Sequence, residues 1–320
     1  MMKSIRFAIM GAGGIAEKFA AAVRLTEGAE VVAVASKSME RAESFAKRNN
    51  IDVFCSYDQM LSMDNVDAVY IATTHNFHYE NIKACLNNGK HVLCEKCMVL
   101  HENEAKELFA LAKTKGLFLM EAMWSRFLPP LKTARKWIEE GRIGEIKSAY
   151  ASIGFRSNGD INGRILNPDL AGGALYDIGV YVIELTTFLM GEKVTDIVGK
   201  VRRDSRTGVD DNVSFILSFK NAEAMLHCSI VSPIKQHIII NGEKGHIEIP
   251  ETHSGHECLI FDSNRNLIEH FKAEYPEDNG FVYQVEEVIN CINSGETQSD
   301  IMPATDTIEC ARIFDKLLEN

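Results

Sequence analysis

Residues 5–16 read IRFAIMGAGGIA, a β-rich run that breaks into glycines and then opens a helical stretch. Ile5–Met10 reads as a strand, and the spacing predicts a helix over Ala16–Leu25. The turn between them, Gly11-Ala12-Gly13-Gly14-Ile15-Ala16, is a G-x-G-x-x-A. Gly11 permits the tight turn, Gly13 lets backbone N–H groups approach a pyrophosphate, and small Ala16 lets the helix pack close to a sheet. Gly14 and Ile15 lie in the same turn, where a helix N-terminus favours an anion. A lone glycine fingerprint is weak. Here a strand precedes it, and a second strand, Glu30–Ala35, follows at the right interval. Dinucleotide binding is the expectation, against a merely structural turn.

Working outward, strands continue to alternate with helical patterns. Glu40–Arg48, Tyr79–Asn88 and Glu102–Thr114 are helical, while Ala68–Ala72, Val92–Cys94 and Leu117–Met120 are strand-like. This alternation predicts a parallel sheet covered on both faces, a Rossmann-type α/β domain over residues 1–122. The pattern then changes. Trp124–Glu140 and Ala174–Met190 read as helices, Ile146–Phe155 as a long strand, and Ser157–Gly173 as a Gly/Asn/Pro-rich connection. From Val194 to Phe271 strand-like runs follow without intervening helices. An α+β domain with a mostly antiparallel open sheet is expected over 123–320. Helices at Val282–Asn293 and Thr305–Leu318 close the chain, and the last is expected to pack back towards the first domain.

Composition sets outer bounds. At 320 residues with 46% apolar and 25% charged residues, the chain is an ordinary globular protein long enough for two domains. A net charge of −11 disfavours nucleic acid or an anionic membrane as partner. No segment offers the roughly 18 uninterrupted apolar residues of a membrane span. The basic-then-apolar N-terminus breaks at its glycines and again at Glu17-Lys18, so a strand-turn-helix fits it better than a signal peptide. Eight scattered cysteines have the usage of reduced, buried thiols, and a cytoplasmic location is expected.

Chemistry is expected at four places. The first is the glycine turn. At the end of the second strand, residues 35–38 carry no carboxylate to accept from a ribose 2′-OH. Ser36 can donate to a 2′-phosphate, and Lys37 and Arg41 can neutralise it, so NADP is expected, with NAD as the alternative. The second is the loop after the third predicted strand, IATTHNFHYE, where Thr73, His75 and Asn76 would line the cofactor crevice and His78 would cap or pack. The third is Cys94-Glu95-Lys96-Cys97. It has no second Cys or Cys/His pair at zinc spacing and no thioredoxin-like context, so neither a metal nor a disulfide is expected. Lys96 beside a nicotinamide can hydrogen-bond a reacting oxygen, with Glu95 orienting it or the ribose. The fourth is AGGALYDIGVYVIEL, residues 171–185, where Asp177 and Tyr181 stand i, i+4 on one helix face. A carboxylate and a phenol there are costly to bury unless they work or are paired. His253, His256 and Cys258 read as a surface turn.

These motifs together resemble the glucose–fructose oxidoreductase/inositol dehydrogenase/MocA family of NAD(P)-dependent oxidoreductases over essentially the whole chain. The family's Glu-Lys-Pro stands here as Glu95-Lys96-Cys97, so the backbone geometry that a lysine-proline bond would set is left open. Its Gly-Gly-Gly-x-x-x-Asp-x-Gly-x-His is represented by Gly172 to Tyr181, with tyrosine for histidine. With residues 116–129 (GLFLMEAMWSRFLP) and 207–213 (TGVDDNV), this is similar to the dimeric dihydrodiol dehydrogenase-like branch. The resemblance implies a catalytic Lys96/Tyr181 pair, NADP, and Trp124 and Arg126 at the substrate pocket, with Phe155 and Arg164 as weaker carry-overs. The expected activity is hydride exchange with a secondary alcohol or ketone of a sugar, polyol or trans-dihydrodiol, with Asp177 orienting the substrate or the acid–base pair. The alternative is a non-catalytic dinucleotide-binding sensor or scaffold. A homodimer through the second domain's sheet is expected, with a tetramer as the alternative.

Overall fold

The computed structural model describes residues 3–319. The chain divides into two compact units. One comprises the residues up to 99, 103–124 and 275–307, and the other 100–102, 125–274 and the residues from 308.

In the first unit the elements run β1 (Ile5–Met10), α1 (Gly14–Leu25), β2 (Ala29–Ala35), α2 (Met39–Asn49), β3 (Phe54–Cys55), α3 (Tyr57–Leu61), β4 (Ala68–Ile71), α4 (His78–Asn87), β5 (His91–Glu95), α5 (Glu102–Lys115) and β6 (Leu119–Ala122). The six strands lie in the order β3-β2-β1-β4-β5-β6, all parallel. This is the doubly wound order whose reversal beside β1 opens a ligand crevice at the strands' carboxyl ends. β1 is buried along nearly its whole length because helices cover both sheet faces. Tyr70 of β4 stacks on Phe19 of α1 at 3.7 Å, and Phe7 meets Phe19 edge-on.

β3 and α3 are absent from the sequence reading. A two-residue strand has no periodicity, although Ser56 and Gln59 form a capping box that marks the start of α3.

In the second unit α6 (Pro129–Glu139) starts at a proline pair, so the expected Trp124–Glu140 helix is a 3₁₀ turn over Trp124–Phe127 followed by α6. Next come β7 (Ile146–Arg156) and α7 (Val180–Met190), the latter preceded by a π-helical turn over Leu175–Gly179. β8 (Asp196–Arg203), β9 (Asp210–Ser218), β10 (Glu223–Ser229), β11 (Val231–Gly242), β12 (Gly245–Ile249), β13 (Glu257–Asp262) and β14 (Leu267–Lys272) complete an eight-stranded sheet ordered β14-β13-β12-β11-β7-β10-β9-β8. Only the β7–β10 pairing is parallel. The apolar stretch 168–190 is long enough to span a membrane but is mostly buried inside this unit, as a core helix is.

The chain ends with α8 (Val282–Asn293) and α9 (Ala304–Leu318). A single cut at residue 122 assigns α8 to the second domain, whereas residues 275–307 belong to the first unit. Three long-range bonds hold them there: Asn279 donates to the Lys18 carbonyl at 2.9 Å, Asn293 accepts from the Lys3 amide at 3.0 Å, and the Leu119 amide donates to the Thr297 carbonyl at 3.1 Å.

Candidate functional site

Gly11 follows β1 directly. Its φ is +108°, and a Cβ there would lie 2.7 Å from the Ala72 carbonyl oxygen, so both conformation and close approach require glycine. Gly13 is the N-cap of α1 and supplies no side-chain cap. Gly13 and Gly14 are exposed, and a Cβ on either would meet nothing within 4 Å. The first amides of a twelve-residue helix therefore face open space, which fits a pyrophosphate. Ala16 is fully buried against the sheet and Ile15 is half-buried.

At the end of β2, Ser36 Oγ accepts from the Ser38 amide, and Ser38 Oγ caps α2 by accepting from the Arg41 amide. The Arg41 and Lys37 side chains are exposed. The Lys37 ammonium sits 3.6 Å above the Phe77 ring, in the loop that carries Thr73, His75 and Asn76. That loop is braced from within: Asn81 donates to Thr73 Oγ1 at 3.0 Å, and Thr74 Oγ1 donates to Asn76 Oδ1 at 2.7 Å.

Glu95 ends β5, so Lys96 emerges at the same sheet edge as Gly11 and Thr73. Glu95 is buried and accepts from the Tyr70 hydroxyl. Burial pushes its pKa up to about 7, against the opposing pull of Tyr70 and Lys96. The Lys96–Cys97 peptide is cis, although cysteine stands where the family signature has proline. The following residue is pinned by Glu121 of β6, which accepts from the Met98 amide at 2.9 Å and from Thr307 Oγ1 at 2.9 Å. Cys94 and Cys97 are buried thiols, and burial pushes Cys94 well above the usual thiol range. Among the described residues no group of three or more His, Cys, Asp or Glu side chains is arranged to hold a metal ion.

In the second unit, Asp177 lies in the π-helical turn and Tyr181 in the first turn of α7, so the expected single α-helix is wound wider through Asp177. Such insertions recur at functional sites. Two sequence candidates meet here: Arg164 Nη1 pairs with Asp177 Oδ1 at 2.6 Å, with the carboxylate nearly buried and the guanidinium half-exposed. Gly173 has φ +133°, and a Cβ there would fall 2.1 Å from Asp210 Oδ1. This glycine lets Asp210 reach the turn's amides, and its Oδ2 accepts from the Leu175 N–H at 2.7 Å. Burial pushes Asp210 up to about 7.

Sequence reasoning missed two residues. Asp210 lies in the TGVDDNV stretch quoted above, but nothing local shows that it caps a helix 35 residues earlier. The sequence places His253 in a surface turn, yet its ring packs against that of Tyr181 with centroids 5.0 Å apart. Its Nδ1 lies 2.9 Å from Gln236 Oε1, and its carbonyl accepts from Ser125 Oγ at 2.5 Å.

Arg126 requires a correction. It is fully buried and pairs with Glu184 of α7 at 2.6 Å, also donating to the Glu184 carbonyl, so it braces the core and does not line an open pocket. Trp124 is 9% exposed and packs on Phe281 with ring centroids 5.0 Å apart. Phe155 is half-buried near the end of β7.

The doubly wound sheet, the open glycine cradle and the lysine one residue past a strand end define an NAD(P)-dependent oxidoreductase. Residues 5–123 match the family described as "Oxidoreductase family, NAD-binding Rossmann fold", and residues 131–248 match the "GFO/IDH/MocA C-terminal domain". The chain belongs to the Gfo/Idh/MocA family. It is 32% identical to the trans-1,2-dihydrobenzene-1,2-diol dehydrogenase of Mus musculus over 98% of this chain and 96% of that protein. The enzyme of that name from Xenopus tropicalis is 30% identical over 98% of this chain and 97% of its own length. Among solved structures, a 3-ketoreductase from Actinomadura kijaniata in complex with NADP and TDP-benzene superimposes with TM-score 0.89 and 26% identity, covering 99% of this chain and 98% of that one. An aldose-aldose oxidoreductase from Caulobacter crescentus complexed with glycerol does so with TM-score 0.90 and 25% identity, covering 99% and 97%.

Proposed function

We propose that this chain is an NADP-preferring oxidoreductase that interconverts a secondary alcohol and a ketone on a sugar, polyol or trans-dihydrodiol. The observation that carries the reading is the position of Lys96, one residue beyond β5 and at the same strand edge as the open Gly11–Gly14 cradle. The bound dinucleotide would be held at its pyrophosphate by the α1 amides and at its 2′-phosphate by Ser36, Lys37 and Arg41, and it supplies the hydride acceptor or donor. The chain's own task is the proton. Tyr181 takes the hydroxyl proton during oxidation and returns it during reduction, while Lys96 hydrogen-bonds the same oxygen. Asp177, paired with Arg164, orients the substrate, and His253 supports the tyrosine ring. The names of the relatives and solved neighbours favour this substrate class.

The test is absorbance at 340 nm with NADP⁺ or NAD⁺ and trans-1,2-dihydrobenzene-1,2-diol or a panel of sugars and polyols. Lys96→Met and Tyr181→Phe should each lower kcat about 100-fold. Unchanged turnover in both variants would remove the mechanism.

The reading extends to a homodimer through the outer face of the second unit's sheet. Val198, Ile216, Met225 and Tyr150 are cross-strand neighbours in one row over β8, β9, β10 and β7, and each is between 37% and 62% exposed. A second copy of this chain would cover such a row. A cytoplasmic location completes the reading, supported by eight cysteines of which seven are buried.

A further inference from the structure

His78 opens α4, directly after the loop that carries Thr73, His75 and Asn76, and its side chain is fully buried. Its Nδ1 lies 2.8 Å from the carbonyl oxygen of Cys97, and its Nε2 lies 3.0 Å from the carbonyl oxygen of Thr73. Carbonyl oxygens only accept, so each contact is a hydrogen bond only when the ring nitrogen carries a proton. A neutral imidazole has one N–H to give. Burial, with the Lys96 ammonium adding to it, pushes His78 below the usual histidine pKa, which favours the neutral ring. We assign the single N–H to Nδ1, the nitrogen with the shorter contact.

We propose that His78 is a positioning residue for Lys96: its Nδ1–H holds the Cys97 carbonyl and so fixes the turn on which the lysine stands. The inference rests on the reading of Lys96 as a catalytic residue. The geometry makes the bond consequential. The Cys97 carbonyl and the Met98 N–H belong to one peptide unit, the second after Lys96, and its N–H is held by Glu121 of the neighbouring strand β6. This peptide unit is therefore held at both ends, by an acceptor from β6 and a donor from α4. Without the donor, that peptide unit keeps its hold at the Met98 N–H but loses the one at its carbonyl, so the carbonyl can swing and shift the Cys97 backbone and the lysine before it. A displacement of about 1 Å at a reacting group costs on the order of 100-fold in rate.

Asparagine places its amide nitrogen where Nδ1 stands, and glutamine places its own near Nε2. The comparison of His78→Asn, His78→Gln and His78→Leu therefore isolates the Cys97 bond from burial of a polar group. Turnover is measured with NADP⁺ and trans-1,2-dihydrobenzene-1,2-diol, NADPH affinity by its fluorescence, and amide hydrogen exchange by mass spectrometry over residues 94–99 and 72–77. Expected is kcat within about 3-fold of the unaltered chain for His78→Asn, and a loss of about 10- to 100-fold for His78→Gln and His78→Leu, with little change in NADPH affinity. Exchange over 94–99 should quicken in His78→Gln and His78→Leu and not in His78→Asn. The proposal is overturned if His78→Asn and His78→Gln behave alike, including a joint loss of folding, or if His78→Leu keeps its kcat. Failure of the functional reading looks different. The unaltered chain would then turn over none of the substrates tested, while the exchange pattern would still report whether His78 holds the turn.

Discussion

Replacing Asp210 by asparagine should flatten the pH dependence of stability. Asp210 is 2% exposed, and its carboxylate accepts the Leu175 N–H that opens the turn carrying Asp177. Its pKa in the fold is pushed from 3.8 up to about 7, chiefly by burial and against the pull of the backbone amides and Arg203. Between those values the native protein keeps a proton that the unfolded chain has released. Stability from this group is thus fully present below pH 4 and lost as pH rises through 7. A shift of about 3 units at 1.36 kcal/mol each corresponds to about 4 kcal/mol across that window. Asparagine keeps an acceptor oxygen for the Leu175 amide but does not titrate. Urea denaturation of both proteins at intervals from pH 4.5 to 8 isolates the effect, because Glu95, also raised to about 7, contributes equally to each. The variant should be the less stable at pH 4.5 and gain on the parent by roughly 3 to 4 kcal/mol by pH 8. A difference that stays constant over the range would refute the assignment of a buried, proton-holding Asp210.

Gly11→Ala combines a positive φ with a Cβ 2.7 Å from the Ala72 oxygen, so it should lower the melting temperature and abolish the NADPH fluorescence change; normal binding would contradict the cradle. Arg126→Met strands the Glu184 carboxylate and should cost about 3–5 kcal/mol, whereas Arg126→Met with Glu184→Leu should recover most of the loss, as read by denaturant midpoints. Lys37→Ala should weaken NADPH about tenfold and leave NADH unchanged in a binding titration; equal effects on both would place Lys37 away from the 2′-phosphate. Ile216→Lys should convert a dimer to a monomer by light scattering, and an unaltered mass would show that this face is not the interface.

Much of the first unit is legible because its determinants are local. A glycine turn is demanded by one residue's φ and one close approach, and alternating strands and helices imply a parallel sheet by connection length alone. Lys96 follows from the same logic, since a residue just past a parallel strand stands at the crevice edge. Tyr181 and Asp177 are legible as a pair on adjacent turns, but the π-helical turn over Leu175–Gly179 is not, because no local pattern marks it, just as none marks the acceptor of its first amide, Asp210, 35 residues later. The sequence by itself determined the dinucleotide cradle, the two-domain order and the lysine's place, all written within a few residues of chain. The tertiary structure alone decided that Arg126 is sealed against Glu184, that His253 stands on Tyr181, that residues 275–307 join the first unit, and that His78 reaches the Cys97 carbonyl. Each of these joins elements tens to hundreds of residues apart, whose meeting is set by sheet order and register, not by any local preference.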